Sequence, residues 1–145
     1  MKNIISLLFL LTSLLSFSQG FEAYEIKSFI DKGAEVVVGN SFEAYEIKSF
    51  ASKNAALVTV LGEGFEAYEI KSFIDKGAKV IVGNSFEAYE IKSFASKNAA
   101  LVTVLGEGFE AYEIKSFIDK GAKVIVGNSF EAYEIKSFAS KNAAL

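Results

Sequence analysis

The nonapeptide FEAYEIKSF occurs six times without a change, starting at Phe21, Phe42, Phe65, Phe86, Phe109 and Phe130, and this repetition constrains the fold more than any other feature. The starts are separated alternately by 21 and 23 residues, so the true unit is a 44-residue pair of half-repeats. Such a period marks an array in which each copy supplies one supersecondary unit and buries its apolar side only against its neighbours.

The residues ahead of the first copy have another character. Lys2 supplies a positive start, Ile4 to Phe17 is apolar apart from serines and a threonine, and Ser16-Phe17-Ser18 places small residues where a signal peptidase reads them. The pattern predicts a secretory signal over residues 1–18, with Gln19 as the new N-terminus. The apolar run is shorter than the roughly 20 residues needed to cross a bilayer, so no stable membrane insertion is expected after cleavage. A secreted or cell-surface, extracytoplasmic location follows. The remaining 127 residues, 19–145, fit a single array of six helix units and five strands with an incomplete last unit.

Composition removes several function classes. Of 15 lysines, 14 remain without Lys2 and face 18 acidic residues, a net charge of −4 with both signs interleaved in every repeat. Without a basic stripe, nucleic acid is not an expected partner. The chain has no His, Cys, Trp, Pro or Arg. That excludes disulfides, imidazole or thiolate metal sites, Ser-His and Cys-His nucleophile pairs and bidentate arginine clamps. Near-identical copies also offer the same few groups at every step, whereas an active site needs different groups converging at one place. No enzymatic activity, cofactor or metal is expected.

Within a copy, steps of 100° place Ala23, Ile26, Phe29 and Ile30 on one side of a helix and Lys27, Ser28, Asp31 and Lys32 on the other. The start is expected near Glu22, with Phe21 and Ile26 spaced as a hydrophobic staple and Glu25 in the first turn. Gly33, Gly77 and Gly121, alternating with Asn54, Asn98 and Asn142 at the same position, predict left-handed helix stops. Strands are expected over residues 36–38, 57–61, 80–82, 101–105 and 124–126, closed by turns of the Gly39-Asn40-Ser41 or Gly62-Glu63-Gly64 type.

Strand, helix and strand repeated in one order predict parallel pairing with right-handed crossovers. The fold class is therefore α/β: a right-handed solenoid of alternating 21- and 23-residue helix–strand units, a short curved horseshoe with its helices on one face. The half-repeat has the length of a leucine-rich repeat but lacks the Leu-x-x-Leu-x-Leu-x-x-Asn pattern. The other sheet face, carrying either Val37, Ile81 and Ile125 or their neighbours together with Leu57, Thr59 and Leu61, is expected to be apolar and bare, favouring self-association through this face or through the end strands. The alternation of Ile30 with Ala51 reads as packing of large against small.

Three surfaces are candidates for function. The tyrosines Tyr24, Tyr45, Tyr68, Tyr89, Tyr112 and Tyr133 point away from the apolar stripe, as a platform for glycan or protein or as lateral packing between helices. The rim residues Asn40, Ser41, Glu63, Asn84, Ser85 and Glu107 lead into helix starts, where an anion would meet the nearby glutamates, and Glu63 with Glu66 would hold calcium weakly. The charges of Glu25, Lys27, Asp31 and Lys32 read as a solvated face, with Glu25–Lys32 and Lys27–Asp31 as pairs. The expected function is a secreted, non-enzymatic scaffold binding a protein or glycan through a repeated surface. The alternatives are a structural protein assembling end to end through uncapped strands, and a fragment of a larger surface protein.

Overall fold

The two phenylalanines that open and close each nonapeptide meet in space. The structure, a computed structural model, describes residues 20–143; the signal expected over 1–18 lies outside the described residues. In all six copies the first and last rings stand edge to face, with centroids 4.9 Å apart for Phe21 and Phe29 and 5.1–5.3 Å apart in the others. This geometry suits the aromatic quadrupole. Phe21 is thus stapled to the ring of Phe29 in the last part of the helix.

Among the described residues six α-helices alternate with five strands: α1 Ala23–Asp31, β1 Val36–Val38, α2 Ala44–Asn54, β2 Val58–Leu61, α3 Ala67–Asp75, β3 Lys79–Val82, α4 Ala88–Asn98, β4 Val102–Leu105, α5 Ala111–Asp119, β5 Lys123–Ile125 and α6 Ala132–Ala143. Each start uses a glutamate in place of the usual Ser, Thr, Asp or Asn. A capping box closes each start: the Glu22 N–H donates to Oε1 of Glu25 at 2.9 Å, and every later copy repeats the bond at 2.8–2.9 Å. The acceptor carboxylate also sits in the first turn, where the helix dipole favours negative charge.

The stops divide into two kinds. Gly33, Gly77 and Gly121 adopt φ of 89°, 91° and 92°, as expected. The Gly33 N–H donates to the Ile30 carbonyl and the Ala34 N–H to that of Phe29, at 2.9 and 3.0 Å, the bond pair of a Schellman cap. The asparagines do not follow. Asn54 is extended at φ −163°, ψ 95°, Asn98 matches it, and the chain enters a 3₁₀ turn over Ala55–Leu57 or Ala99–Leu101; Asn142 lies within α6. A Cβ makes the left-handed region cost about 1–2 kcal/mol, and a 3₁₀ turn satisfies terminal carbonyls without that cost. Leu57 and Leu101 consequently belong to turns, not to strands.

The strands form one parallel sheet in the order β1-β2-β3-β4-β5. Pairing drifts along it. Val38 lies beside Val60 and Val60 beside Val80, whereas the residue one repeat after Val38 is Val82. The register therefore slips two residues per 44-residue repeat, and the strands run oblique to the direction of stacking.

The buried side chains of all six helices join one cluster with Val36, Val38, Val58, Val60, Val80, Val82, Val102 and Val104, alternate strand residues that share one face of the sheet. Phe50, Phe73, Phe94 and Phe117 are its largest fully buried members, each worth about 1.5–3 kcal/mol on burial. Ile30, Ile74 and Ile118 alternate with the buried Ala51 and Ala95. On the opposite face the expected bare patch is reduced. Val37 and Ile81 are buried, Thr59, Leu61, Thr103 and Ile125 are half-buried, and Leu105 is the large apolar residue left exposed.

Two substitutions separate the two kinds of stop. Gly77→Ala should destabilise by about 1–2 kcal/mol, because its backbone is left-handed and the new Cβ would stand 3.1 Å from Ala55 Cβ. Asn98→Ala should stay within about 0.5 kcal/mol, since that position carries no left-handed requirement. Urea unfolding of both variants checks the difference. Phe94→Ala, which empties a fully buried site, should cost about 3–5 kcal/mol in the same assay.

Candidate functional site

Each tyrosine is the second residue of its helix, two positions before the core-facing isoleucine of its copy, so it points about 200° away from the core. Tyr24, Tyr45, Tyr68, Tyr89, Tyr112 and Tyr133 are 70–73% exposed. That exposure rules out burial of the rings between neighbouring helices. The close ring pairs found among the described residues are all Phe with Phe, so the tyrosines stand singly. Consecutive helices pack side by side, and helix axes in contact lie about 8–10 Å apart, which sets the step of the tyrosine row.

The rim is brought together differently. Asn40, Ser41, Glu63, Asn84, Ser85 and Glu107 are all exposed in strand-to-helix turns. These turns are closed by the Phe42 N–H to the Gly39 carbonyl and the Phe65 N–H to the Gly62 carbonyl, at 3.1 and 3.2 Å. The Asn40 side chain lies over the backbone of Gly64 in the next turn, and Asn84 lies likewise over Gly108. A side chain on either glycine would collide with the asparagine, and each glycine has φ near +88° besides. The rim is thus a contact between successive turns.

An anion would compete there with the chain itself. Each helix start already has a backbone N–H donating to its own glutamate carboxylate, and Glu22, Glu43, Glu66, Glu87 and Glu110 add exposed negative charge. Glu63 and Glu66 are exposed, and among the described residues no group of three or more acidic side chains is placed to hold a metal ion. Among the same residues no helix is long and apolar enough to cross a membrane.

The charged face is wired between helices instead of along them. Lys53 donates to Asp31 at 2.8 Å, Lys97 to Asp75 at 2.8 Å and Lys141 to Asp119 at 2.7 Å, each pair joining an odd helix to the following even one. The expected Lys27–Asp31 and Glu25–Lys32 pairs give way to these, because Glu25 is held by the Glu22 N–H and Asp31 faces the next helix. The sequence signal that identifies them is a Lys 22 residues after an Asp, repeated three times.

These pairs are more than a third exposed, so water and salt screen them. Asp75→Asn should lower stability by less than about 1 kcal/mol, with the difference shrinking further at 1 M salt, as measured by paired urea titrations.

Comparison with protein-family profiles, curated proteins and solved structures finds no match to this chain.

Proposed function

We propose that the protein is a secreted, non-enzymatic repeat scaffold that binds a protein or glycan through its row of tyrosines. The observation that carries this reading is the presence of six tyrosines at equivalent helix positions, every one of them 70–73% exposed. An aromatic ring left in water contributes nothing to the fold, whereas tyrosine is a rigid, amphipathic contact residue enriched at binding hot spots. A tyrosine at the start of every helix allows several rings to engage one extended partner together, so weak single contacts add as avidity.

The overall form in this proposal is a short, curved, right-handed solenoid with its helices on the outside. Strands stack about 4.8 Å apart while helices need 8–10 Å, so one helix per strand bends the sheet away from the helices. The register slip averages one residue per strand, the stagger of parallel sheets that curl as far as eight-stranded barrels. Curvature of this sense places the tyrosines on the convex side. Export rests on the sequence pattern of residues 1–18.

Screening the mature chain against arrays of extracellular glycans and proteins tests the reading. A partner should bind the wild type and weaken by more than about thirtyfold for each pair of tyrosines changed to alanine, beginning with Tyr68 and Tyr89, since a hot-spot tyrosine contributes more than about 1 kcal/mol. Melting temperature should not move. Partners that bind the six-alanine variant as well as the wild type would overturn the assignment, as would an array without any tyrosine-dependent binding.

A further inference from the structure

Charges that alternate along the chain separate in space. The five strands are parallel and a helix returns the chain from the end of one strand to the start of the next, so all helix starts lie along one edge of the array and all helix ends along the other. The start edge holds the two glutamates that open the helix in each of the six copies, and Glu63 and Glu107 with them, 14 of the chain's 18 acidic residues. None of the described lysines lies there. The end edge holds eight lysines, one at the close of each helix and Lys79 and Lys123 at strand starts, while the other six sit in mid-helix. Its acids are Glu35 and three aspartates that already accept from Lys53, Lys97 and Lys141.

The helix dipole accounts for part of this separation, since it favours glutamate in a first turn and lysine in a last, but its influence is confined to those terminal turns. Glu63 and Glu107 lie beyond its reach, in the turns after β2 and β4, and so do Lys79 and Lys123, which open β3 and β5. All four are exposed, and among the described residues none of them has an ion-pair partner. Helix stability therefore leaves these four charges unexplained.

We propose that the two edges are the two sides of one contact, in which the lysine edge of one molecule docks along the glutamate edge of a second copy of this chain. A second copy is the occupant because both edges are ends of the same helices and strands, and so share one period and one order along every repeat. A foreign basic segment would have to reproduce that spacing by itself. With the second copy displaced along the strands in the same orientation, Lys79 at the start of β3 meets the end of the second copy's β3. There it stands between Glu63 and Glu107 of that copy, since β2 and β4 flank β3. Lys123 stands beside Glu107 of the second copy. Glu35, the acid at the position of Lys79 and Lys123 in the first copy of the repeat, meets Glu63 and is repelled. Single exposed pairs are weak, but many at regular steps act together. The contact joins unlike surfaces, so it leaves an edge free on each molecule and propagates as an open line. It does not rest on the tyrosine row.

The test is sedimentation velocity on the full chain and on two double variants, Lys79→Glu with Lys123→Glu and Glu63→Lys with Glu107→Lys. The wild type should associate as its concentration rises in about 0.1 M salt and return to monomer in about 1 M, where the screening length falls from about 10 Å to about 3 Å. Each double variant should associate at least about tenfold more weakly, because like charges then face each other. An equimolar mixture of the two should associate as the wild type does, since each reversed edge meets its complement. Glu35→Lys, which removes the repulsion, should strengthen association, and it decides the matter if a double variant fails to fold. A wild type that stays monomeric at low salt would overturn the proposal, whether or not it binds an oligolysine peptide. So would association that salt and the double variants leave unchanged, which would place the contact on the sheet face or the end strands. A mixture that does not recover, or a Glu35→Lys chain that associates no better than the wild type, would overturn it equally.

Discussion

No single repeat of this chain is able to bury its own apolar side. The isoleucine and phenylalanine stripe of each helix and the valines of each strand find partners only in the copies before and after, which is why the same residue has different burial at different places. Ile91 is fully buried and Ile135, in an identical sequence context, is half-exposed. Stability is therefore a property of stacking. With no cysteine in the chain to cross-link it, nothing covalent substitutes for the neighbouring copy.

That dependence shapes the local chemistry. Because the stack supplies the burial, each nonapeptide needs only to present a well-defined helix, and it does so with internal contacts: a phenylalanine pair across the helix and a glutamate that accepts from the backbone of the residue three before it. The contacts between copies are then few in kind. Valine rows join the strands, Ile30-type residues face Ala51-type residues along the helices, and one Asp–Lys pair bridges each odd helix to the next even one. Positions outside these roles repeat as well, and that is how the tyrosines come to stand in a row. Repetition selected for packing yields a repeated surface, and a repeated surface favours multivalent contact over catalysis.

Much of this was legible before any coordinates. The 100° spacing of Ile26, Phe29 and Ile30, the stops at Gly33, Gly77 and Gly121, the valine runs and the parallel pairing all follow from local pattern, and the structure agrees with them. The asparagine stops are ambiguous in sequence because asparagine is compatible with both a left-handed cap and an extended exit. The following Ala-Ala-Leu, which closes a 3₁₀ turn, decides between them. The spacing of Phe21 and Ile26 signals a staple, but the edge-to-face contact of Phe21 with Phe29, eight residues on, has no such local signature. The spacing of Lys27 and Asp31 suggests a pair along one helix, whereas Asp31 accepts from Lys53 of the adjoining helix, a pairing that only the stacking brings about.

The sequence by itself determined the period, the helix and strand of each half-repeat and the side of the helix on which the tyrosines lie, because these depend on dihedral preferences and on spacing within about ten residues. Tertiary structure decided the rest. The two-residue register slip, the shielding of Val37 and Ile81 and the closure of Asn40 over Gly64 depend on which strand stands beside which. Identical copies hold identical local information, so only their position in the stack distinguishes the buried Val80 from the half-buried Val124.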